Sequence, residues 1–210
     1  MGLPEAFRQA RCLSGKELDM AGLADRLRDG DALMLVDVQK DFCAGGALAI
    51  ERGDEVVPVL NRWIGASLDA RVPVYASRDW HPVRHPSFTA FGGRWPPHCI
   101  QDTDGASFHA GLVLPPSTIV VTKGVRFDRD QNSAFDGTGL AAELRRSGIT
   151  RLWVGGLAQD VCVRATVLDA RREGFEAIVI ADATMPVTVE GARSAEEEMR
   201  RAGAAFETTG

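Results

Sequence analysis

No apolar run in the 210-residue sequence exceeds the length of a β-strand. That excludes a membrane-spanning helix, which needs about 20 consecutive apolar residues. Positive charge is nowhere concentrated and the formal net charge is -5, so a nucleic-acid partner is excluded as well. Residues 1–11 lack the basic-then-apolar order of a signal peptide. No Ser or Thr stands where a myristoylation site after Gly2 needs one. Both absences point to the cytoplasm. Cysteine is sparse: Cys12, Cys43, Cys99 and Cys162 are scattered, with no CxxC pair. Neither a disulfide framework nor a closed four-ligand zinc site fits that spacing, and reduced thiols are expected. There is no internal repeat and no low-complexity segment. What remains is a chain with 45% hydrophobic content, enough for one full core.

Strand-sized apolar runs alternate with helical patterns along that chain. Leu33 to Val36 is a continuous run of the kind buried on both faces of a parallel sheet. Asp54 to Ala70 then carries Val56, Val57, Leu60, Ile64 and Leu68 on one side of a helix. Val72 to Ser77 and Thr118 to Lys123 read as strands, and Gly137 to Gly148 as a helix. Arg151 to Val154 is a strand broken by Gly155 and Gly156. Asp160 then reads as the N-cap of a helix over Val161 to Arg172, with Val161, Ala165 and Leu168 inward. A strand over Glu176 to Ala181, a loop over 183–186, a helix over Thr188 to Ala202 and an edge strand over Ala204 to Thr208 complete the series. The alternation predicts an α/β fold, a three-layer α/β/α arrangement around a mostly parallel sheet of about six strands. Residues 1–30 stand apart as an N-terminal helical extension of the 31–210 domain. Ser14 and Glu17 form a capping box there, and Leu18, Leu23 and Leu27 give a loose apolar face. That face packs on the domain or on a partner copy, which leaves a homo-oligomer open.

The chemistry-bearing residues fall at strand ends. Asp37 follows the first strand, where open α/β sheets place their ligand crevice, and suits a base, a metal ligand or the cap of the next loop. Asp79 and His81 are two apart in an extended segment, so both side chains point the same way. They can share a divalent cation, and an aspartate merely bonding a histidine would look the same. His98, from the rigid turn in RWPPHC, offers a third donor, the number found where a metal keeps an open position. His85 is a fourth donor or a pocket wall, and His109 sits on an ordinary amphipathic turn. Lys123 ends the third strand as a cation tuned by its neighbours. The polar stretch Gly124 to Asn132 loops over the site. Cys162 lies in the first turn of a helix after a strand, where backbone N–H groups and the helix dipole lower a thiol's pKa. The competing reading is a small buried hydrophobe.

Together these motifs carry a resemblance. DVQKDF with Asp37, SRDWHP with Asp79 and His81, WPPHC followed by Gln101, Thr103 and Gly105, TKG with Lys123, and GLAQDVCV with Cys162 resemble the nicotinamidase (pyrazinamidase) branch of the isochorismatase-like cysteine hydrolases. The match runs in order from Asp31 to Pro186. Isochorismatase itself lacks the nucleophilic cysteine, so Cys162 argues against that activity. The resemblance implies hydrolysis of nicotinamide to nicotinic acid and ammonia, in NAD salvage, through a thioester on Cys162, with Asp37 and Lys123 completing a triad. It implies an oxyanion hole from the N–H groups of Ala158 and Cys162, and a cis Leu157–Ala158 peptide. Asp79, His81 and His98 would hold one divalent ion, zinc before manganese or iron, that takes the ring nitrogen of the substrate. Phe42 and Trp95 match ring-packing positions. Two alternatives are a sibling amidase acting on a carbamoyl or other small amide, and a catalytically silent protein that binds a metal or a metabolite.

Overall fold

The computed structural model describes residues 22–210. Cys12, the Ser14–Glu17 capping box and Leu18 lie outside them, whereas Leu23 and Leu27 are buried in the main core. Six strands form one sheet: β1 (Asp31–Val36), β2 (Val74–Asp79), β3 (Ile119–Lys123), β4 (Arg151–Leu157), β5 (Glu176–Met185) and β6 (Ala205–Glu207). Their order is β3-β2-β1-β4-β5-β6 and every pairing is parallel. The helices that flank the sheet among the described residues are α1 (Val56–Asp69), α2 (Leu140–Arg146), α3 (Arg164–Arg172) and α4 (Val189–Arg201). Among the described residues no helix is long and apolar enough to cross a membrane.

Alternation along the strands divides the interior into two layers. Leu33 and Leu35 of β1, with Trp153 of β4, pack against Leu60, Trp63 and Ile64 of α1. Ala32, Met34 and Val36, with Leu152 and Val154, face the other way onto Leu144, Val167 and Met199 of the other three helices. Sheet and helices therefore make the expected three layers. β1 begins two residues before its apolar run because Asp31 is satisfied in the interior. Its carboxylate accepts from Arg151 at 2.7 and 2.6 Å and from the Trp153 indole at 3.1 Å.

Four local expectations fail, each for a physical reason. Gly155 and Gly156 do not break β4, which runs on to Leu157 because both glycines pair with Leu35 and Val36 of β1. Leu68 is 52% exposed, and Trp63 takes its place in the core, because the buried stripe of α1 runs through Val56, Leu60, Trp63 and Ser67. β5 continues through the expected loop to Met185. A register shift between Val154 and Gly156 lets Thr184 and Met185 pair with Gly156 and Leu157. Asp160 does not cap its own helix, because its carboxylate accepts the Val187 and Thr188 N–H groups at 2.8 and 3.3 Å. A π-turn over Gln159–Val163 opens that helix instead.

The strand order places a switch point between β1 and β4. From β1 the chain moves outward to β2 and β3, and it then returns to the other side of β1 with β4. The loops leaving β1 and β4 diverge, and the crevice between them is where such sheets bind ligands.

Candidate active site

Four strand ends deliver the reactive groups to that crevice. Asp37 follows β1, Asp79 ends β2, Lys123 ends β3, and Cys162 lies in the π-turn after β4. Asp37 takes a left-handed conformation (φ 49°), which turns its carboxylate beneath the crevice instead of along the sheet. Gly156 is required beside it, since at φ 129° a Cβ would lie 2.1 Å from the Val36 carbonyl oxygen.

Asp37 and Lys123 are completely buried and Cys162 is 6% exposed. Lys123 Nζ lies 2.8 Å from Asp37 Oδ2, an ion pair without the alignment of a hydrogen bond. The same ammonium donates to Asp79 Oδ1 at 2.6 Å and reaches Cys162 Sγ at 3.5 Å. Ser77 donates to Asp37 Oδ1 at 2.6 Å. Burial lifts the Asp37 carboxyl above its usual range, against the pull of Lys123. Burial would discharge Lys123, yet Asp37 and Asp79 reverse that and hold the ammonium firmly protonated. Burial also pushes the Cys162 thiol well up, with Lys123 opposing. The expectation of a lowered thiol pKa at a helix start is not met here, because burial holds this thiol up. The resting sulfur carries its proton and needs a base, and donor atoms of Asp37 and Cys162 lie within 4.8 Å of each other.

Above this floor opens a cavity whose walls are mostly apolar. Phe42, Trp95, Ala158 and Cys162 line it together with Asp79, His81 and His98. Asp37, Phe42, Asp79, His81, Trp95, His98, Lys123, Ala158 and Cys162 thus lie on the cavity or directly under it, whereas His109 lies elsewhere, beside Cys43 and Asp54. The Leu157–Ala158 peptide is cis, the isomer the resemblance implies. Leu48, Ala49, Ile50 and Val187 add to the wall without having been marked beforehand, and Asp130 and Asn132 come from the stretch expected to loop over the site. Leu48 to Ile50 form an apolar triplet in a loop, which carries no signal of its own.

Asp79, His81 and His98 bring donor atoms within 4.8 Å of one another. His81 Nδ1 donates to the Gly124 carbonyl and His98 Nδ1 to the Pro96 carbonyl, each at 2.8 Å. A carbonyl only accepts, so both Nδ1 atoms bear hydrogen and Nε2 is the atom each ring offers an ion, the usual support of histidine ligands, with His81 Nε2 facing Asp79 Oδ2 at 3.7 Å. Burial, helped by His81, lowers His98, which favours its neutral form, whereas Asp79 outweighs burial and raises His81. The donor set fits a divalent metal ion. His85 stacks on His81 with ring centroids 4.1 Å apart. Its Nδ1 bonds Ser87 Oγ at 2.7 Å, and its buried Nε2 has no partner among the described residues. Burial and the neighbouring His81 bring His85 down to about 4, so it too is neutral. A second trio, Cys43, Asp54 and His109, also clusters. There burial and Asp54 push the thiol up to about 12, and His109 Nδ1 already accepts the Gly111 N–H at 3.1 Å.

A buried thiol beside a carboxylate–lysine pair, at a sheet's switch point, is an arrangement suited to hydrolysis through a cysteine nucleophile. The chain belongs to the isochorismatase family, whose domain matches residues 31–210. Within it, the chain is similar to the nicotinamidase of Escherichia coli (strain K12), 40% identical over 84% of this chain and 94% of that protein. The pyrazinamidase of Pyrococcus horikoshii in complex with zinc superposes with a TM-score of 0.83 at 40% identity, covering 85% and 99% of the two chains. PnC1 from L. infantum in complex with nicotinate superposes at 0.79 with 36% identity, over 85% and 92%.

Proposed function

We propose that this chain is a nicotinamidase, converting nicotinamide to nicotinic acid and ammonia. One observation carries the reading. The Cys162–Asp37–Lys123 cluster and the Asp79–His81–His98 donor set meet at one apolar-walled cavity, delivered by different strands. Asp37, made more basic by burial, takes the thiol proton as Cys162 Sγ attacks the amide carbonyl. It returns that proton to the departing ammonia. Asp37 then draws a proton from water, whose oxygen hydrolyses the thioester and frees the acid and the thiol. Lys123 keeps Asp37 ionised until the thiol is in place, and the N–H groups of Ala158 and Cys162 face the developing oxyanion. Phe42 and Trp95 pack on the two faces of the ring. Asp79, His81 and His98 hold the divalent ion, with the unpartnered His85 Nε2 as a fourth donor. Zinc suits these nitrogen and oxygen donors best. When bound, the ion supplies a Lewis-acid contact for the ring nitrogen. The neighbour solved with zinc and the one solved with nicotinate support the ion and the substrate class. The catalytic unit is the 31–210 domain, with residues 1–30 an extension of it.

A sibling amidase for carbamoyl compounds is disfavoured by the two histidines oriented by carbonyls, which such a reaction leaves without a task. Ammonia release from the purified protein supplied with nicotinamide, with and without chelator, tests the proposal. Release that chelation suppresses and added zinc restores is expected. No ammonia from nicotinamide would overturn the activity, and release indifferent to chelation would overturn the role of the ion.

A further inference from the structure

β2 outruns its neighbour. The last pairing between β1 and β2 joins Val36 to Ser77, after which Asp37 turns the chain away from the sheet. Asp79 is paired with Lys123 on the β3 side, where the Trp80 N–H donates to the Lys123 carbonyl at 3.0 Å. The N–H and C=O of Asp79 point the other way, towards the place β1 has left, and no strand meets them.

A side chain meets them instead. Gln39 Oε1 accepts the Asp79 N–H at 2.8 Å, and Gln39 Nε2 donates to the Asp79 carbonyl at 2.8 Å. The second Nε2 proton goes to the Ala106 carbonyl at 2.8 Å. Gln39 is completely buried, and its amide orientation is determined because both carbonyls need a donor and the N–H needs an acceptor. A side-chain amide offers the same donor and acceptor as a peptide, so Gln39 pairs with Asp79 as another strand would. Asp79 is also the one carboxylate shared by the two halves of the site. It bonds Lys123 at 2.6 Å and belongs to the donor trio with His81 and His98.

We propose that Gln39 is a positioning residue whose amide fixes the backbone of Asp79 and so aims that carboxylate at the metal donors and at Lys123. The inference rests on reading Asp79, His81 and His98 as the metal ligands. It differs from a merely structural role, in which Gln39 would only satisfy buried peptide groups and add to stability.

The test uses Co(II) alone as a probe, since its visible absorption reports ligand geometry. It compares the full-length wild type with Gln39→Met, Gln39→Glu and the control Asn61→Ala. Asn61 makes the same kind of two-point clamp elsewhere, donating to the Gly111 carbonyl at 2.8 Å and accepting the Val113 N–H at 2.9 Å. Gln39→Met keeps volume and loses all three bonds. Co(II) affinity should fall by about tenfold or more, the usual cost of losing a partner behind a metal ligand, with a shifted spectrum. Gln39→Glu keeps the acceptor and loses the donors, and it should weaken and shift binding too. Asn61→Ala should lower Tm and leave Co(II) binding unchanged. A folded Gln39→Met that binds Co(II) within about twofold of wild type, with a superimposable spectrum, would overturn the inference. Should Gln39→Met fail to fold, Gln39→Glu decides by the same two readings. Wild type taking up no Co(II) would overturn the metal reading and this inference together, whereas indifferent variants of a Co(II)-binding wild type overturn the inference alone.

Discussion

Burial decides what each reactive side chain can do. Burial raises the Cys162 thiol, so in the proposed mechanism its nucleophilicity depends on Asp37 taking the proton when substrate arrives. Cys162→Ala removes only the attacking sulfur. It should abolish ammonia release while metal content and far-UV CD stay as in the wild type, and residual turnover within about tenfold would sink the assignment. Asp37→Asn keeps the shape and the Ser77 bond but cannot carry a proton. A loss of about 10²–10⁴-fold in kcat is expected, and near-normal kcat would send the search for the base elsewhere. Asp37, Asp79 and Lys123 were each a weak signal in the sequence, since strand-ending charges are common, and became legible through the five motifs that agree in order and spacing. Ser77 and the clamp made by Gln39 were not. Their meaning lies in partners 40 residues away that only the sheet brings close.

At the scale of elements, glycines mark where backbone presses against the site. Gly124 follows β3 at φ 69°, and a Cβ there would lie 2.5 Å from His81 Cε1. Gly124→Ala therefore meets both a backbone penalty of about 1–3 kcal/mol and a clash with the metal-facing imidazole. It should lower Tm and also weaken metal binding, measured by titration against a chromophoric chelator. A variant with lowered Tm and unchanged metal affinity would show that the His81 ring is not held from this side. TKG was visible as a motif, but the sequence does not say that its glycine backs a histidine 43 residues earlier. Strands and helices were legible wherever apolar spacing was regular. The failures sit where tertiary partners overrode local preference: Asp160 spent on the loop before α4, β5 prolonged by the register shift, and Trp63 displacing Leu68.

Taken whole, the molecule separates attack from anchoring. The sulfur comes from the turn after β4, whereas the two histidines come from the segments that follow β2, so the cavity has a reacting end and a holding end. A thiol that already supplies the nucleophile has no need of a metal hydroxide to begin the reaction. An ion at the far end is better used to fix the ring at a set distance from Sγ, which is a positioning effect. Nicotinamide and benzamide have the same shape and the same amide, and they differ in whether the ring offers a nitrogen. Apolar walls such as Phe42 and Trp95 treat the two rings alike, so they supply no discrimination. A site with a vacant ligand position does discriminate, because benzamide leaves that position to water and gains nothing in return. The kcat/KM for benzamide should fall at least about a hundredfold below that for nicotinamide, and removing the metal should shrink the gap by harming nicotinamide alone. Alkylation of Cys162 should proceed at a similar rate with and without metal. Equal kcat/KM for the two amides in the metal-loaded protein would refute the anchor and move the sibling amidase reading to first place.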